Sequence, residues 1–308
     1  MLSVIVPTLN AATDWPRFAS ALSRCVPPGQ VLIVDSESTD GTVELARASG
    51  FQVHSVPRAE FNHGGTRQEA TQLSSDSEIL VFMTQDAVLA SPDSLTKLLA
   101  AFDNPRVVAA YGRQLPRPQA GAIEAHARSF NYPSTSDLRD LKSRDRLGFK
   151  AIFISNSFAA YRRAALMTVG GFPSDVIFGE DTITAARLLL ANFEIAYVAE
   201  ACVYHSHAYS CTQDFKRYFD IGVLHNRENW LLENFGKASG EGKRFVHSEL
   251  SYLLKWDPKQ IPSALVRTGL KLIGYRLGRM EALLTPSIKR QLSMHSRFWD
   301  EAISNKRA

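Results

Sequence analysis

The chain has 308 residues, of which 45% are hydrophobic and 21% are charged. These proportions are typical of a globular protein and exclude a fibrous or mainly disordered chain. The formal net charge of +4 is unevenly distributed. Residues 1–211 carry 18 Lys and Arg against 21 Asp and Glu, whereas residues 212–308 carry 17 against 10. The basic second part therefore predicts an anionic partner surface, either a membrane or a nucleic acid.

Cysteine use and hydropathy predict a cytoplasmic protein. Cys25, Cys202 and Cys211 show neither a CxxC pattern nor a zinc-ligand spacing, so we expect three free thiols in a reducing compartment. The apolar start has no basic leader, and no later apolar run approaches the roughly 18 residues that span a bilayer. Secretion and membrane anchoring by a spanning helix are not expected.

The first third of the chain alternates between predicted strands and predicted helices. Short apolar segments rich in Val and Ile predict strands buried on both faces, at Leu2–Val6, Val31–Val34, Gln52–Val56, Ile79–Met83 and Val107–Tyr111. Helices are predicted between them, at Trp15–Cys25, Thr42–Ser49, Gly65–Leu73 and Ser94–Phe102. This succession predicts an α/β fold with a mostly parallel sheet flanked by helices.

The rest of the chain divides into three stretches. Between Gln114 and Lys150 the pattern weakens, and prolines with scattered charges predict a surface excursion. A second structured block follows at 151–161, then a helix from about Glu180 to Asn192 and a strand at 195–198. Beyond residue 210 the composition is helical, basic and aromatic. We therefore expect a body at 1–210 and a basic helical C-terminal extension at 211–308.

Polar loops follow three of the predicted strands. Pro7, Thr8 and Asn10 follow the first, Asp35 to Gly41 the second, and Thr84 to Asp86 the fourth. Ligands of such sheets bind beyond the carboxyl ends of the strands, so these loops predict one crevice. Asp35 would accept hydrogen bonds from a nucleobase or a ribose, whereas Asp40 is better explained as a helix N-cap. No GxGxxG follows the first strand, which disfavours a dinucleotide site.

Two acidic positions have alternative interpretations at this point. Asp86 emerges from a wholly apolar strand and either holds a divalent cation against a diphosphate or caps a turn. Glu180 and Asp181 begin a predicted helix, where acids are electrostatically favourable, and one of them is alternatively a general base.

Five segments in a fixed order resemble the family 2 glycosyltransferases of the GT-A fold. They are SVIVPTLN, VDSESTDGT, TQDA, SNSFAAYRRAAL with GGF after it, and FGEDTITAARL, and together they cover residues 2 to about 207. The segment AEFNHGGTR together with MTQDA resembles the rhamnosyltransferase branch of that family.

The resemblance implies roles for individual residues. Asp181 would be the catalytic base and Glu180 its acidic neighbour. The implied nucleotide-sugar site comprises Pro7, Thr8, Asn10, Asp35, His63, Arg67, Gln85 and Asp86. His63 and the two glycines after it form a polar turn that opens a helix toward phosphate, with Arg67 as an added cation. A helix simply capped by Asn62 or Thr66 is compatible with the same residues.

The resemblance also implies a divalent cation, Mg²⁺ or Mn²⁺. Asp86 matches the last residue of the family's Asp-x-Asp motif, but Thr84 stands where the first acid is expected. His205, and with less weight His207, match a histidine that reaches the metal or diphosphate in several GT-A enzymes.

The implied activity is an inverting transfer of a sugar to an acceptor hydroxyl. The favoured donor is dTDP-rhamnose, and the acceptor would be a saccharide or lipid-linked saccharide in polysaccharide or O-antigen biosynthesis. A UDP- or GDP-linked donor is the alternative. A nucleotidyltransferase would need a Gly-rich basic loop after the first strand, which Pro7 to Asn10 does not provide. A nucleic-acid-binding protein would leave the acidic loops unexplained, so no nucleic-acid partner is expected.

One segment of the extension predicts an amphipathic helix. At 100° per residue an apolar stripe forms from Val266, Leu270, Ile273, Leu277, Met280 and Leu284. The cations that lie away from this stripe are Arg267, Lys271, Arg276 and Arg279. Such a helix either lies peripherally at the inner face of the membrane or packs on the body or a second subunit. The close glycines Gly269, Gly274 and Gly278 favour helix packing.

Overall fold

The computed structural model describes residues 1–236 and 240–300. Residues 237–239 and 301–308 of the predicted extension lie outside these ranges. The chain forms two compact units. The first comprises Met1–Pro118, Asn131–Asp175 and Glu180–Ser206, and the second comprises Gln119–Phe130, Val176–Gly179 and the described residues from His207 onward.

The first unit is built on one nine-stranded mixed sheet. The strands are β1 Leu2–Thr8, β2 Val31–Asp35, β3 Gln52–Ser55, β4 Ile79–Met83, β5 Val88–Leu89, β6 Val107–Leu115, β7 Asp137–Arg139, β8 Phe158–Arg162 and β9 Glu194–Tyr204. Their order is β3-β2-β1-β4-β8-β6-β9-β5, with β7 paired to β9. The first four strands pair in parallel, whereas β8 runs antiparallel between β4 and β6. The carboxyl ends of β1, β2 and β4 therefore meet at one edge.

One set of helices belongs to the first unit together with this sheet, and another set forms the second unit. Those of the first unit are α1 Trp15–Ser23, α2 Thr42–Ala48, α3 His63–Leu73, α4 Ser94–Leu99, α6 Ser143–Leu147, α7 Arg163–Thr168 and α8 Glu180–Leu190. Those of the second are α5 Ala122–Asn131, α9 Cys211–Arg227, α10 Asn229–Phe235, α11 Glu241–Trp256, α12 Ile261–Arg279 and α13 Pro286–Leu292. In α1, Trp15, Phe18 and Leu22 are buried at helical spacing, which fixes the face that packs on the sheet.

Helices α9 and α12 approach each other closely through glycines. A Cβ on Gly274 would lie 2.4 Å from the carbonyl oxygen of Phe215, and one on Gly278 would lie 2.0 Å from that of Phe219. Gly222 plays the same part on α9, because its Cβ would meet the carbonyl oxygen of Tyr275 at 2.3 Å. Backbone packs on backbone at Gly274 and Gly278, as predicted, whereas the prediction is wrong for Gly269, where a Cβ would meet nothing within 4 Å.

The other faces of α12 differ from the prediction. Val266, Ile273 and Met280 of the predicted apolar stripe are 57%, 51% and 53% exposed, so the small-residue face is the one that packs. Arg267 pairs with Asp214, and Arg279 donates to a backbone carbonyl. The prediction that these cations are free to meet an anionic surface is therefore wrong for this pair.

The predicted strands are present, and two of them extend well beyond their predicted ends. β6 continues to Leu115 and β9 spans Glu194–Tyr204. The surface excursion predicted at 114–150 is wrong, because this stretch contains α5, β7 and α6. Its prolines stand between these elements rather than inside them. The three cysteines are free thiols, as predicted. Within 1–236 and 240–300, no helix has the length and apolar character needed to span a bilayer.

Candidate active site

The loops after β1 and β2 are joined through the Asp35 carboxylate. Its Oδ1 accepts hydrogen bonds from the hydroxyls of Thr8 at 2.9 Å and Ser38 at 2.6 Å, and its Oδ2 accepts the Ser38 backbone N–H at 2.8 Å. Asp35 is 1% exposed. A carboxylate offers about four lone-pair positions, so these three bonds leave one on Oδ2 for a further donor.

The loop after β4 is fastened to the loop after β1 by Gln85. Its Oε1 accepts from the Leu9 backbone N–H at 2.7 Å, and its Nε2 donates to the Leu9 carbonyl at 3.1 Å. Asn10 in turn bridges to the β2 loop, since its side chain accepts from the Thr39 N–H. Asn10 and Glu37 both adopt left-handed backbone conformations, with φ of 50° and 58°. Such strain costs on the order of 1 kcal/mol per residue and is frequent in ligand-binding loops.

Asp40 is explained by the structure of its own loop. It accepts hydrogen bonds from both the backbone N–H and the hydroxyl of Thr42, the first residue of α2. These bonds, chiefly the one from the Thr42 hydroxyl, lower the pKa of Asp40. The N-cap of α2 is Gly41, so the prediction that Asp40 is the N-cap is wrong by one residue, although its carboxylate accepts the backbone N–H of the first residue of the helix.

Asp86 and His205 lie together beyond the ends of β4 and β9. The Nε2 of His205 is 3.4 Å from Oδ1 of Asp86, and its Nδ1 bonds to Gln114 Oε1 at 2.9 Å. Arg117 donates to the Asp86 carbonyl at 3.2 Å and approaches its Oδ2 at 3.4 Å. His207 follows two residues later and belongs to the second unit. A carboxylate oxygen and an imidazole nitrogen thus face the same point.

Thr84 is the first residue of the loop after β4, and its hydroxyl is buried without a hydrogen-bond partner among the described residues. Burying a hydroxyl without a partner is unfavourable. At this position, where the Asp-x-Asp motif has its first acid, Thr84 offers a neutral oxygen.

The acidic pair at the start of α8 has two different environments. Glu180 is buried and accepts from Arg67 at 2.7 Å and from the Asn156 amide at 3.3 Å. Asp181 is half-buried and accepts the backbone N–H groups of Thr182 at 2.7 Å and Asn156 at 3.3 Å. Tyr161 donates to the Asn156 side chain at 2.8 Å and so orients it.

These environments shift the pKa values of Glu180 and Asp181 in opposite directions. Burial would raise the pKa of Glu180, but the charge of Arg67, with His63, outweighs it and lowers that pKa. Burial and the adjacent negative charge of Glu180 raise the pKa of Asp181 to about 7. One carboxylate is therefore ionised and paired, while the other is poised to exchange a proton near neutral pH.

A helix cap at Asn62, one of the two explanations predicted for the turn at His63, is observed. Helix α3 begins at His63, and the Asn62 side chain caps it by accepting the Gly65 N–H at 2.6 Å. Gly64 is required by packing, because a Cβ there would lie 1.7 Å from the Pro173 carbonyl oxygen. The shared environment of His63 and Arg67 is the Glu180 carboxylate rather than an exposed helix end.

Four contributing residues were not found from the sequence. Asn156 lies in the SNSF segment, which was noted only as a family motif, and Tyr161 follows it on β8. Gln114 and Arg117 lie in the stretch interpreted as a surface excursion. The signal that identified the other loops applies to them as well, since both lie at or beyond the carboxyl-terminal part of a buried strand, β6.

Comparison with known proteins identifies the class. The model of the family described as Glycosyl transferase family 2 matches residues 3–170. The chain belongs to this family, whose members are inverting glycosyltransferases, and its first unit has the GT-A fold expected of them.

Individual relatives resemble the chain over nearly its whole length. It is 41% identical over 301 residues to the O-antigen chain rhamnosyltransferase RfbN of Salmonella typhimurium, which covers 97% of this chain and 96% of that protein. It is 43% identical over 300 residues to the O-antigen chain rhamnosyltransferase WbaN of Salmonella anatum, over 97% and 95% of the two chains. Among solved structures, the mannosyltransferase PcManGT of Pyrobaculum calidifontis, in complex with GDP-Man and Mn²⁺, matches with a TM-score of 0.56. It is 21% identical and covers 99% of this chain and 86% of its own.

Proposed function

We propose that the protein transfers L-rhamnose from dTDP-rhamnose to a saccharide hydroxyl during O-antigen assembly. The observation that carries this proposal is the identity of 41% and 43%, over nearly the full chain, to two O-antigen chain rhamnosyltransferases. Residues 1–210 are the transferase domain in this proposal, and residues 211–308 are the C-terminal extension. A UDP- or GDP-linked donor is the second candidate, because PcManGT of similar fold binds GDP-Man.

The proposed chemistry is a single displacement at the anomeric carbon. The acceptor oxygen forms a bond to that carbon as the bond to the donor diphosphate breaks, and the acceptor proton passes to Asp181. A base works best when its pKa is close to the working pH, which the raised pKa of Asp181 provides. Glu180 remains ionised beside Arg67 and keeps negative charge next to the base. Asn156 positions both acids.

The proposed nucleotide site lies at the ends of β1 and β2. Asp35 offers its remaining Oδ2 position to a base imide or a ribose hydroxyl, while Thr8 and Ser38 fix its orientation. Pro7 and Asn10 shape the same loop, and Gln85 fixes it to the β4 loop. We assign His63 and Arg67 to the catalytic end of the site, because both interact with Glu180.

The residues around Asp86 fit a divalent cation. Their donor set is one carboxylate, one imidazole and the uncompensated hydroxyl of Thr84, which suits Mn²⁺ or Mg²⁺ but supplies few anionic ligands. Asp86 and His205 would hold the ion, and most other ligands would come from the diphosphate and water. When bound, the cation neutralises charge on the departing diphosphate. Gln114 orients His205 toward this point.

The proposed location is the cytoplasmic side of the membrane, where a lipid-linked acceptor is accessible. The supporting feature is the outward face of α12, on which Leu265, Val266 and Ile273 are each more than half exposed. An apolar helix face of this kind adsorbs at a membrane interface.

A donor screen tests the proposal. The protein would be incubated with a saccharide acceptor and dTDP-rhamnose, UDP-glucose, UDP-galactose or GDP-mannose, and released nucleoside diphosphate would be measured. Preferential turnover of dTDP-rhamnose, with inverted configuration in the product by NMR, is expected. Preference for a UDP- or GDP-linked sugar would refute the donor assignment and leave the site chemistry to be tested by the Asp181 variant below.

A further inference from the structure

The second unit contains a cavity of about 230 Å³ that the proposed reaction does not use. Its walls come from α5, from residues 207–209, and from α9, α11 and α12. Gly121, Ala208 and Gln260 line it and are exposed, so the cavity opens to solvent. Drug-sized ligands fill pockets of roughly 300–1,000 Å³, so this volume suits one small ring.

A buried acid in this wall lacks a hydrogen-bond donor. Glu249 is 2% exposed, and its Oε1 has no partner among the described residues. A buried acceptor left unpaired is unfavourable, and a donor on a ligand would satisfy it. Burial raises the pKa of Glu249, and the charge of Lys271 opposes that rise.

The cations of the pocket are largely compensated from within the protein. Arg267 donates to Asp214 at 2.6 Å, and the Lys271 ammonium lies 3.8 Å from the same carboxylate. Four acidic and three basic side chains line the cavity. A phosphate or diphosphate would therefore face carboxylates without a surplus of positive charge. The balance favours a neutral ligand rich in hydroxyl groups, which can donate to Glu249 and accept from Lys271.

Aromatic rings complete the lining. His207 and Tyr209 both line the cavity, and their rings stack with centroids 5.2 Å apart and planes at 30°. Paired rings give a firm apolar surface, and the C–H face of a sugar packs against such surfaces. Hydroxyl-binding groups and an apolar surface are thus present in a space of one ring.

We propose that this pocket binds a neutral sugar unit of the acceptor, held by Glu249 and Lys271 against the His207–Tyr209 surface. The inference rests on the proposed function only in taking the sugar to be part of the acceptor. It assigns to the second unit a recognition role that is separate from the proton transfer at Asp181.

The test compares Glu249→Gln with the matched control Glu233→Gln, which changes an exposed glutamate on α10 of the same unit. Hydrogen bonds to charged groups are worth roughly 1.5–3 kcal/mol, so the acceptor KM should rise about tenfold or more in Glu249→Gln. The kcat at saturating acceptor, the donor KM and the melting temperature should stay close to those of the control. Lys271→Gln, which changes a cation of the same lining, should raise the acceptor KM in the same way.

Direct binding separates this inference from the proposed function. Methyl α-L-rhamnoside, methyl α-D-mannoside and methyl β-D-galactoside would be titrated into the protein without donor, with pyrophosphate as the anionic probe. Binding of a glycoside that is lost in Glu249→Gln supports the pocket even if dTDP-rhamnose proves not to be the donor. Wild-type acceptor KM in both variants, or binding of pyrophosphate in place of every glycoside, overturns it.

Discussion

Arg67 donates a 2.7 Å hydrogen bond to Glu180, and the two side chains are only 5% and 6% exposed. This pair joins α3 to the first turn of α8 and holds one of two adjacent acids in its ionised form. Removing one member of a buried ion pair is strongly destabilising, because the other charge is left without compensation. The pair therefore links the stability of the first unit to the proton affinity of Asp181.

Asp181→Asn should abolish the proposed base without disturbing the fold. The amide has the same shape as the carboxyl but cannot take the acceptor proton, so kcat should fall by roughly 10²- to 10⁴-fold. Steady-state kinetics would measure the loss, and calorimetric titration with the nucleotide sugar should show unchanged donor affinity. Asp175→Asn, on a loop residue of the same unit, is the control. Near-normal turnover in Asp181→Asn would remove this residue from the mechanism.

Glu180→Gln should shift the pH dependence of the reaction. The charge of Glu180 is, after burial, the second cause of the raised pKa of Asp181, so its removal lowers that pKa. In the wild type, kcat/KM should rise with pH through an apparent pKa of about 7, whereas in Glu180→Gln this acidic limb moves to lower pH. Turnover at the optimum should fall less than in Asp181→Asn. A limb that stays in place or moves upward contradicts the pairing.

Glu180→Gln should also lower the stability of the protein. Leaving Arg67 uncompensated should cost about 3–5 kcal/mol in the free energy of unfolding, measured by denaturant titration. In the wild type the pKa of Asp181 is raised from 3.8 to about 7, so the native state holds a proton that the unfolded state releases. This group's contribution to stability is full below about pH 4 and is lost as pH rises through about 7.

Asp86→Ala should weaken metal activation. The concentration of Mn²⁺ at half-maximal activity should rise by at least about tenfold, since even indirect support of a metal ligand is worth that much. With Thr84 in place of an acid, Mn²⁺ should bind weakly alone and more tightly with donor present, which electron paramagnetic resonance would measure. The exposed Asp76 provides the control variant Asp76→Ala. Full activity after exhaustive EDTA treatment would be incompatible with this site.

Two glycines of α12 should respond oppositely to the same substitution. A Cβ on Gly278 would lie 2.0 Å from the Phe219 carbonyl oxygen, whereas one on Gly269 meets nothing within 4 Å. Gly278→Ala should destabilise the protein by about 1–3 kcal/mol or more through overpacking. Gly269→Ala should stabilise it by about 0.5–1 kcal/mol through helix propensity. Thermal unfolding of both variants decides; equal effects would show that α9 and α12 do not pack closely.

The outward face of α12 should mediate vesicle binding. The combined variant Val266→Ser, Ile273→Ser and Met280→Ser removes three exposed apolar side chains. Cosedimentation with anionic liposomes should fall severalfold because apolar burial at the interface is lost, while turnover of a soluble acceptor is retained. Arg276→Gln, at an exposed basic position of the same helix, controls for charge. Unchanged sedimentation would exclude this face as the membrane contact.

The sequence was sufficient for the parallel part of the sheet. β1, β2 and β4 consist mainly of consecutive apolar residues, a local signal of strands buried on both faces, and their polar carboxyl ends indicated the crevice. β3 is more polar and more exposed. The antiparallel insertion of β8 was not predictable, because strand order depends on pairings such as Val81 with Ala160, far apart in the chain. Helix α5 was missed because its surroundings are rich in proline and charge.

The candidate site likewise contains residues that were predictable from the sequence and residues that were not. Asp35, Asp86 and Asp181 were found because each follows a strand or begins a helix. The Arg67–Glu180 pair was missed because no local pattern reports a contact between residues 113 positions apart. The alternative helix-cap explanation at Asn62 is the one observed, and only the position of Pro173 explains why glycine is needed at residue 64.

The position of β8 between β4 and β6 has a consequence for how the protein assembles. β1 to β3 pair only with one another and with β4, and all four strands are complete by Met83, so the strands that present Asp35 and the Asp86 loop can pair before β8 has been synthesised. β4 then keeps an open edge until residues 158–162 have been synthesised and paired. Closing so long a loop is slow, and an unpaired apolar edge recruits other chains. During synthesis the nascent chain therefore passes through an aggregation-prone interval that ends when β8 is inserted, and α8 with its acids follows only after that step.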